Sequence, residues 1–101
     1  MVLETIARYG CASTSFVCTM HLLALSALLF RAAGNPETEK VLRRVDKDVF
    51  IGTASYSDSE AGSHFCYPMM SSAMGVPDGW KVNKKSSWTT SGGFADFYVT
   101  Q

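Results

Sequence analysis

The chain has 101 residues, 47% of them hydrophobic and 18% charged, which suits a folded unit and leaves room for one domain at most. Nine basic and nine acidic side chains cancel, so no charge excess points to a nucleic-acid or polyanion partner. Three cysteines are an odd count, unlike the disulfide framework of a small secreted protein.

In chain order, Met1 to Tyr9 carries apolar residues at Val2, Leu3, Ile6 and Ala7 and fits the end of an amphipathic helix, interrupted by Gly10. Cys11 to Ala33 is then a long run with no proline and no formal charge before Arg31. Its length suits a membrane span, and Ala32-Ala33-Gly34 faintly resembles the small-residue end of a leader. Against both stand Ser13, Thr14, Ser15, Thr19, His21 and Ser26, and an acidic Glu4 where a leader would be basic. The favoured reading is a helix buried on nearly all sides within a larger bundle. On such a helix Cys11 and Cys18 lie two turns apart, roughly 10 Å between Cα atoms and too far for a disulfide. Cys18 and His21 share a face, but no third or fourth ligand is near, so no metal site is expected. A small buried thiol and a helix-face histidine are the simpler reading.

Gly34 fits a helix C-cap, and Asn35-Pro36 an N-cap followed by proline at the first helical position. Glu37 and Glu39 open the next helix and Lys40, Arg43 and Arg44 follow, matching the helix dipole over Pro36 to Val45. Those charges are expected on a solvated face. Asp46 to Asp48 reads as a turn and Val49 to Tyr56 as a strand. Beyond a polar loop, Cys66 to Met74 reads as a strand that packs Met69, Met70 and Met74. Pro77-Asp78-Gly79 is a turn signal, and Trp80-Lys81-Val82 resumes extended chain, which predicts a hairpin. Ser86 to Thr90 and Phe94 to Thr100 are two further strand candidates, separated by Gly92-Gly93. The fold class is therefore α+β: two or three helices, then about five antiparallel strands.

Two stretches stand out chemically. Ile51 to Ser63 passes from a short apolar strand into a loop of hydroxyls, acids and glycine, which leaves backbone N–H groups and hydroxyls available to a ligand. Trp88-Thr89-Thr90 sets a flat aromatic face beside two hydroxyls. Such a pair suits a planar polar cofactor. The plain alternatives are a loop hydroxyl capping its own turn, for Ser57 and Ser63, and a core aromatic of a small sheet, for Trp88.

The same residues carry a resemblance. Ser57-Asp58-Ser59-Glu60-Ala61-Gly62-Ser63 resembles the Thr-Glu-Pro-x-Ala-Gly-Ser block of the acyl-CoA dehydrogenase family. Gly79-Trp80-Lys81-Val82-Asn83 with Trp88-Thr89-Thr90-Ser91 resembles that family's Gly-(aromatic)-x-(apolar)-Asn-Gly-x-Lys-x-Trp-Ile-Thr-Asn. Ala95-Asp96-Phe97-Tyr98-Val99 stands where the family has an Ala-Asp-(aromatic) strand, and Gly34 to Lys40 resembles its Gly-(Thr/Ser)-x-Glu-x-Lys segment. Order and interval agree over roughly the last fifty residues. The chain departs from the pattern at Ala54, Ser59, Glu60, His64, Lys84, Ser86 and Thr89.

The resemblance implies an incomplete fold: 1–48 as the end of an all-α N-terminal domain and 49–101 as the start of a β-barrel-like middle domain. It implies FAD as cofactor and α,β-dehydrogenation of an acyl-CoA thioester, within fatty acid metabolism, with electron-transfer flavoprotein or another acceptor taking the electrons. Tyr56 and Ser57 would meet the flavin ring, Ser63 the CoA moiety of the substrate (counted with the cofactor contacts as well), Trp88 one side of the isoalloxazine, and Thr89 and Thr90 its reactive edge. The catalytic base is expected outside this chain, so alone it would bind FAD weakly or not at all and show no turnover. Family enzymes are homo-oligomers of the bacterial cytoplasm or of the mitochondrial or peroxisomal matrix. Two other functions stay open: a flavin oxidase or monooxygenase of the same fold, and a non-enzymatic β module, membrane-anchored or secreted through Cys11 to Phe30.

Overall fold

The computed structural model describes residues 1–31, 34–60, 62 and 70–100. Three helices come first, α1 (Val2–Tyr9), α2 (Ala12–Arg31) and α3 (Pro36–Asp48). Four strands follow, β1 (Gly52–Ser55), β2 (Ser72–Val76), β3 (Gly79–Asn83) and β4 (Phe97–Thr100). The chain is an α+β fold, as its residue pattern predicts.

The helices form for local reasons. In α1 an Arg8–Glu4 pair at 3.5 Å spans one turn, and Gly10 closes the helix by donating its N–H to Ile6 O at 3.0 Å. A side chain at Gly10 would press on that carbonyl. Helix α2 accommodates its polar residues by turning hydroxyls onto backbone carbonyls. Thr19 donates to Ser15 O at 2.8 Å and Ser26 to Leu22 O at 2.9 Å, both within the helix. The buried Ser15 donates instead to Leu3 O at 2.8 Å, which ties α1 to α2. In α3 the Asn35 side chain accepts from Glu37 N–H at 2.9 Å with Pro36 in the first turn, as expected. Lys40–Glu37, Arg43–Glu39 and Arg44–Asp48 pairs line its exposed surface.

One expectation, the end of α3, needs correcting. The helix does not stop at Val45, because the Arg44–Asp48 pair adds a further turn where a loop is predicted. It ends at Val49, whose φ of 53° is left-handed. Helix α2, expected to be covered within a larger bundle, buries Ser15 and Ala24 within this chain and leaves Phe16, Leu23, Leu29 and Phe30 exposed. Among the described residues it is long and apolar enough to cross a membrane, a property it shares with core helices and leaders.

The strands depart from an all-antiparallel set. Strands β2 and β3 form the expected hairpin, Ser72 opposite Asn83 and Val76 opposite Gly79, around Pro77-Asp78. Strands β1 and β4 pair in parallel, Gly52 with Phe97 and Ser55 with Thr100. The hairpin and the 84–96 segment make up much of the crossover between them, and a parallel pair requires such a long connection. Of the strand expected at Cys66 to Met74, positions 66–69 lie outside the described residues, and β2 begins at Ser72. Ser86 to Thr90 is not a strand, because its polar groups bond to side chains of β1.

Helix α2 covers β1, and His21 fixes the contact: its Nδ1 accepts from Gly52 N–H at 2.9 Å. Gly52 is required there, since a Cβ would run into the Phe97 ring, which stacks on Phe50 at 5.5 Å between centroids. Arg44 sits 3.8 Å above the Phe50 ring and brings α3 to the same place. Among the described residues the buried centre is small, with Ala24 and Ala54 as its apolar members and Thr53, Ser55 and Asp58 beside them. The accessible surface is 7640 Å², against about 5,600 Å² for a compact monomer of this mass. Apolar surface is therefore left uncovered on α2 and on the hairpin.

Candidate functional site

Strand β1 points Thr53 and Ser55 toward the 86–90 segment, and these hydroxyls build the site. Thr53 Oγ1 donates to Thr90 O at 2.8 Å. Ser55 Oγ bonds to Ser86 Oγ at 2.6 Å and to Thr89 Oγ1 at 3.1 Å. One step on, Ser57 Oγ donates to Trp88 O at 2.8 Å and accepts from Trp88 N–H at 3.1 Å. A period of two along the chain thus aligns three hydroxyls with four positions of the facing segment, Ser86, Trp88, Thr89 and Thr90. That segment is held in turn by a compact turn. Gly92 N–H donates to Thr89 O, Phe94 and Ala95 N–H donate to Ser91 O, and Gly93 N–H donates to Tyr98 Oη at 2.8 Å.

The structure brings Ser57, Trp88, Thr89 and Thr90 together, with Tyr56 half-buried beside Ser57. Ser63, read as the CoA-contacting and cofactor-contacting position, lies outside the described residues. Neither plain alternative describes Ser57 or Trp88. Ser57 bonds to a residue 31 positions away rather than to its own turn, and Trp88 is 85% exposed rather than a core aromatic. The Ser57 hydroxyl proton is already directed to Trp88 O, so that side chain holds the tryptophan in place instead of offering a donor outward. Thr89 lines an open groove of about 430 Å³ together with Ser55, Ser86, Lys84, Tyr98 and Thr100. Trp88 is not part of that lining, so Trp88 and Thr89 present themselves separately.

Sequence reasoning missed Thr53, Ser55 and Ser86. The alternation Thr53-x-Ser55-x-Ser57 is the signal that would have found the first two. It also passed over Asp58, which is 2% exposed. Cys18 and His21 line an apolar hollow of about 280 Å³ between α1 and α2 with Leu3, Ile6, Val17 and Leu22. His21 Nδ1 is committed to Gly52. Among the described residues no three His, Cys, Asp or Glu side chains are placed to share a metal. Cys11 is exposed just before α2, where hydrogen bonds from the Thr14 backbone and side chain, then from Ser13, hold its thiol below the usual range.

A flavin needs a flat apolar wall and donors for the polar edge of its ring. The exposed indole of Trp88, with its backbone fixed by Ser57, fits the first. The Ser86–Ser55–Thr89 chain has three hydroxyl protons for two hydrogen bonds, leaving one to donate elsewhere. Both features are present, the indole outside the groove that the hydroxyls line. Compared with protein-family models, with curated proteins and with solved structures, the chain matches none significantly.

Proposed function

We propose that residues 49–101 supply part of the flavin-contacting surface of an acyl-CoA dehydrogenase-type flavoprotein, with 1–48 as the end of its helical N-terminal domain. The observation that carries the proposal is the reciprocal pair of hydrogen bonds between Ser57 and Trp88, which joins two stretches far apart in sequence at one exposed indole. Bound FAD supplies the hydride acceptor for α,β-dehydrogenation of an acyl-CoA thioester. In this reading Trp88 shields one side of the ring, Thr89 and Thr90 order its polar edge, and Tyr56 contributes from the end of β1. Ser57 positions Trp88, and Ser63 is the proposed contact to CoA. No residue of this chain is assigned as base. The uncovered apolar faces of α2 and the hairpin are in keeping with a larger assembly around this unit. Electrons would pass from the flavin to an electron-transfer flavoprotein or a similar acceptor.

Titration of the chain with FAD, followed by flavin fluorescence, tests the proposal. Saturable weak binding, with Kd around 1 mM or about 4 kcal/mol, is expected, and Trp88→Ala is expected to abolish it. Titration curves that are linear, or identical for Trp88→Ala, would contradict it. A second reading is favoured by α2: its length, apolarity and outward-facing Phe16, Leu23, Leu29 and Phe30 suit a membrane-anchored, non-enzymatic module. Recovery in the alkaline-washed membrane pellet would support that reading, and recovery in the supernatant would remove it.

A further inference from the structure

Asp58 has the most buried carboxylate among the described residues, and the flavin reading gives it no task. Its Oδ1 accepts from Glu60 N–H at 2.9 Å, which folds the loop back on itself. Its Oδ2 accepts from Ser71 Oγ at 2.8 Å, at the foot of β2. Its backbone exchanges two hydrogen bonds with Gly62, at 2.6 and 2.9 Å. The residues on either side reach in another direction, Ser57 to Trp88 and Ser59 N–H to Lys85 O at 3.2 Å. Three segments therefore meet at one acid: the loop, the hairpin base and the strip that carries Trp88. Burying a carboxylate is unfavourable unless donors replace its water, and here fixed donors from two separate segments do so.

We propose that Asp58 is a positioning residue for the Trp88 surface. Its carboxylate locks residues 57–60 to the base of β2, and that lock holds the Ser57 hydroxyl in register with Trp88. The ligand side of the inference rests on the flavin reading; the positioning does not. Loss of the lock frees the loop, and the indole becomes mobile while helices and strands persist.

The experiment uses a Trp80→Phe background, in which Trp88 is the single remaining tryptophan. Trp88 fluorescence anisotropy, far-UV circular dichroism and FMN titrations are measured for Asp58→Ala, Asp58→Asn and Ser71→Ala. Asp58→Ala is expected to lower the anisotropy and weaken FMN binding about fivefold or more, with the dichroism unchanged. Asp58→Asn is expected to recover most of both, since its amide oxygen can still accept from Glu60 N–H and its NH₂ can donate to Ser71 Oγ. Unchanged anisotropy in Asp58→Ala overturns the proposal, and so does a fall in Asp58→Asn as large as that in Asp58→Ala. Should Asp58→Ala lose its dichroism, Ser71→Ala decides: a fall in anisotropy supports the lock, and no change overturns it. A fall in anisotropy in proteins that never bind FMN upholds Asp58 as the lock and removes the flavin reading.

Discussion

Strand β1 and the β2–β3 hairpin reverse the usual relation between residue type and burial. Strand β1 is Gly-Thr-Ala-Ser, small and half polar, and every residue is buried. The hairpin carries Met74, Val76, Trp80 and Val82, and every residue is exposed. What decides burial is the covering layer. Helix α2 lies on one side of β1 and the 86–90 segment on the other, and each buried hydroxyl of β1 has a partner there. Among the described residues no helix covers the hairpin, and a lone two-stranded ribbon is marginally stable in water. Small residues let two layers approach β1 closely, and hydrogen bonds rather than apolar volume then define the fit.

Paired substitutions in the two regions sharpen that contrast. The largest effect is expected from glycine. Gly52→Ala drives a Cβ into the Phe97 ring and should lower stability by about 1–3 kcal/mol. At Gly75 the new Cβ would meet Trp80 at an ordinary 3.9 Å, and the change should stay within about 0.5 kcal/mol. Thermal denaturation of both variants measures the difference, and equal shifts would break the comparison. Next comes the hydroxyl pair. Thr53→Val keeps the shape but leaves the Thr90 carbonyl unpaired, for a loss of about 1–3 kcal/mol. Ser72→Ala in the hairpin should change stability by less than about 0.5 kcal/mol, as judged by urea midpoints. His21→Leu removes the acceptor of Gly52 N–H, and amide hydrogen exchange at Gly52 should accelerate while the hairpin amides keep their rates.

A gain is expected at Val49, where a β-branched side chain occupies a left-handed conformation. Val49→Gly should raise stability by about 0.5 kcal/mol, the relief of strain slightly exceeding the entropy cost of glycine. The smallest effect on folding belongs to Cys11. Its lowered thiol pKa makes more thiolate at any pH below that value, so iodoacetamide should alkylate it faster at neutral pH than a free cysteine peptide. The midpoint of its rate–pH profile should lie below that of the peptide.

Much of this was legible in the sequence wherever signals are local. Asn35-Pro36 announced α3, Pro77-Asp78-Gly79 announced the hairpin, and the uncharged run from Cys11 announced α2. The end of α3 was misread because Arg44 and Asp48 pair across a turn that looks, residue by residue, like a loop. The parallel pairing of β1 with β4 was not legible, since parallel registers are set by a distant crossover rather than by a turn. At the site, pattern alone drew attention to Ser57 and Trp88 but not to their mutual bonding. It gave no hint that Asp58 would be buried, because an acid in a Ser-Asp-Ser-Glu stretch looks solvated until its donors are placed.

The two tryptophans provide the most direct test, one in each region. Trp88 on the body of the fold and Trp80 on the hairpin are both exposed, 85% and 73%, so either is open to chance contact with a flat ligand. In an NMR titration with FMN, the indole N–H of Trp88 should shift saturably while that of Trp80 stays in place. Equal shifts at both, or none at Trp88, would contradict the account.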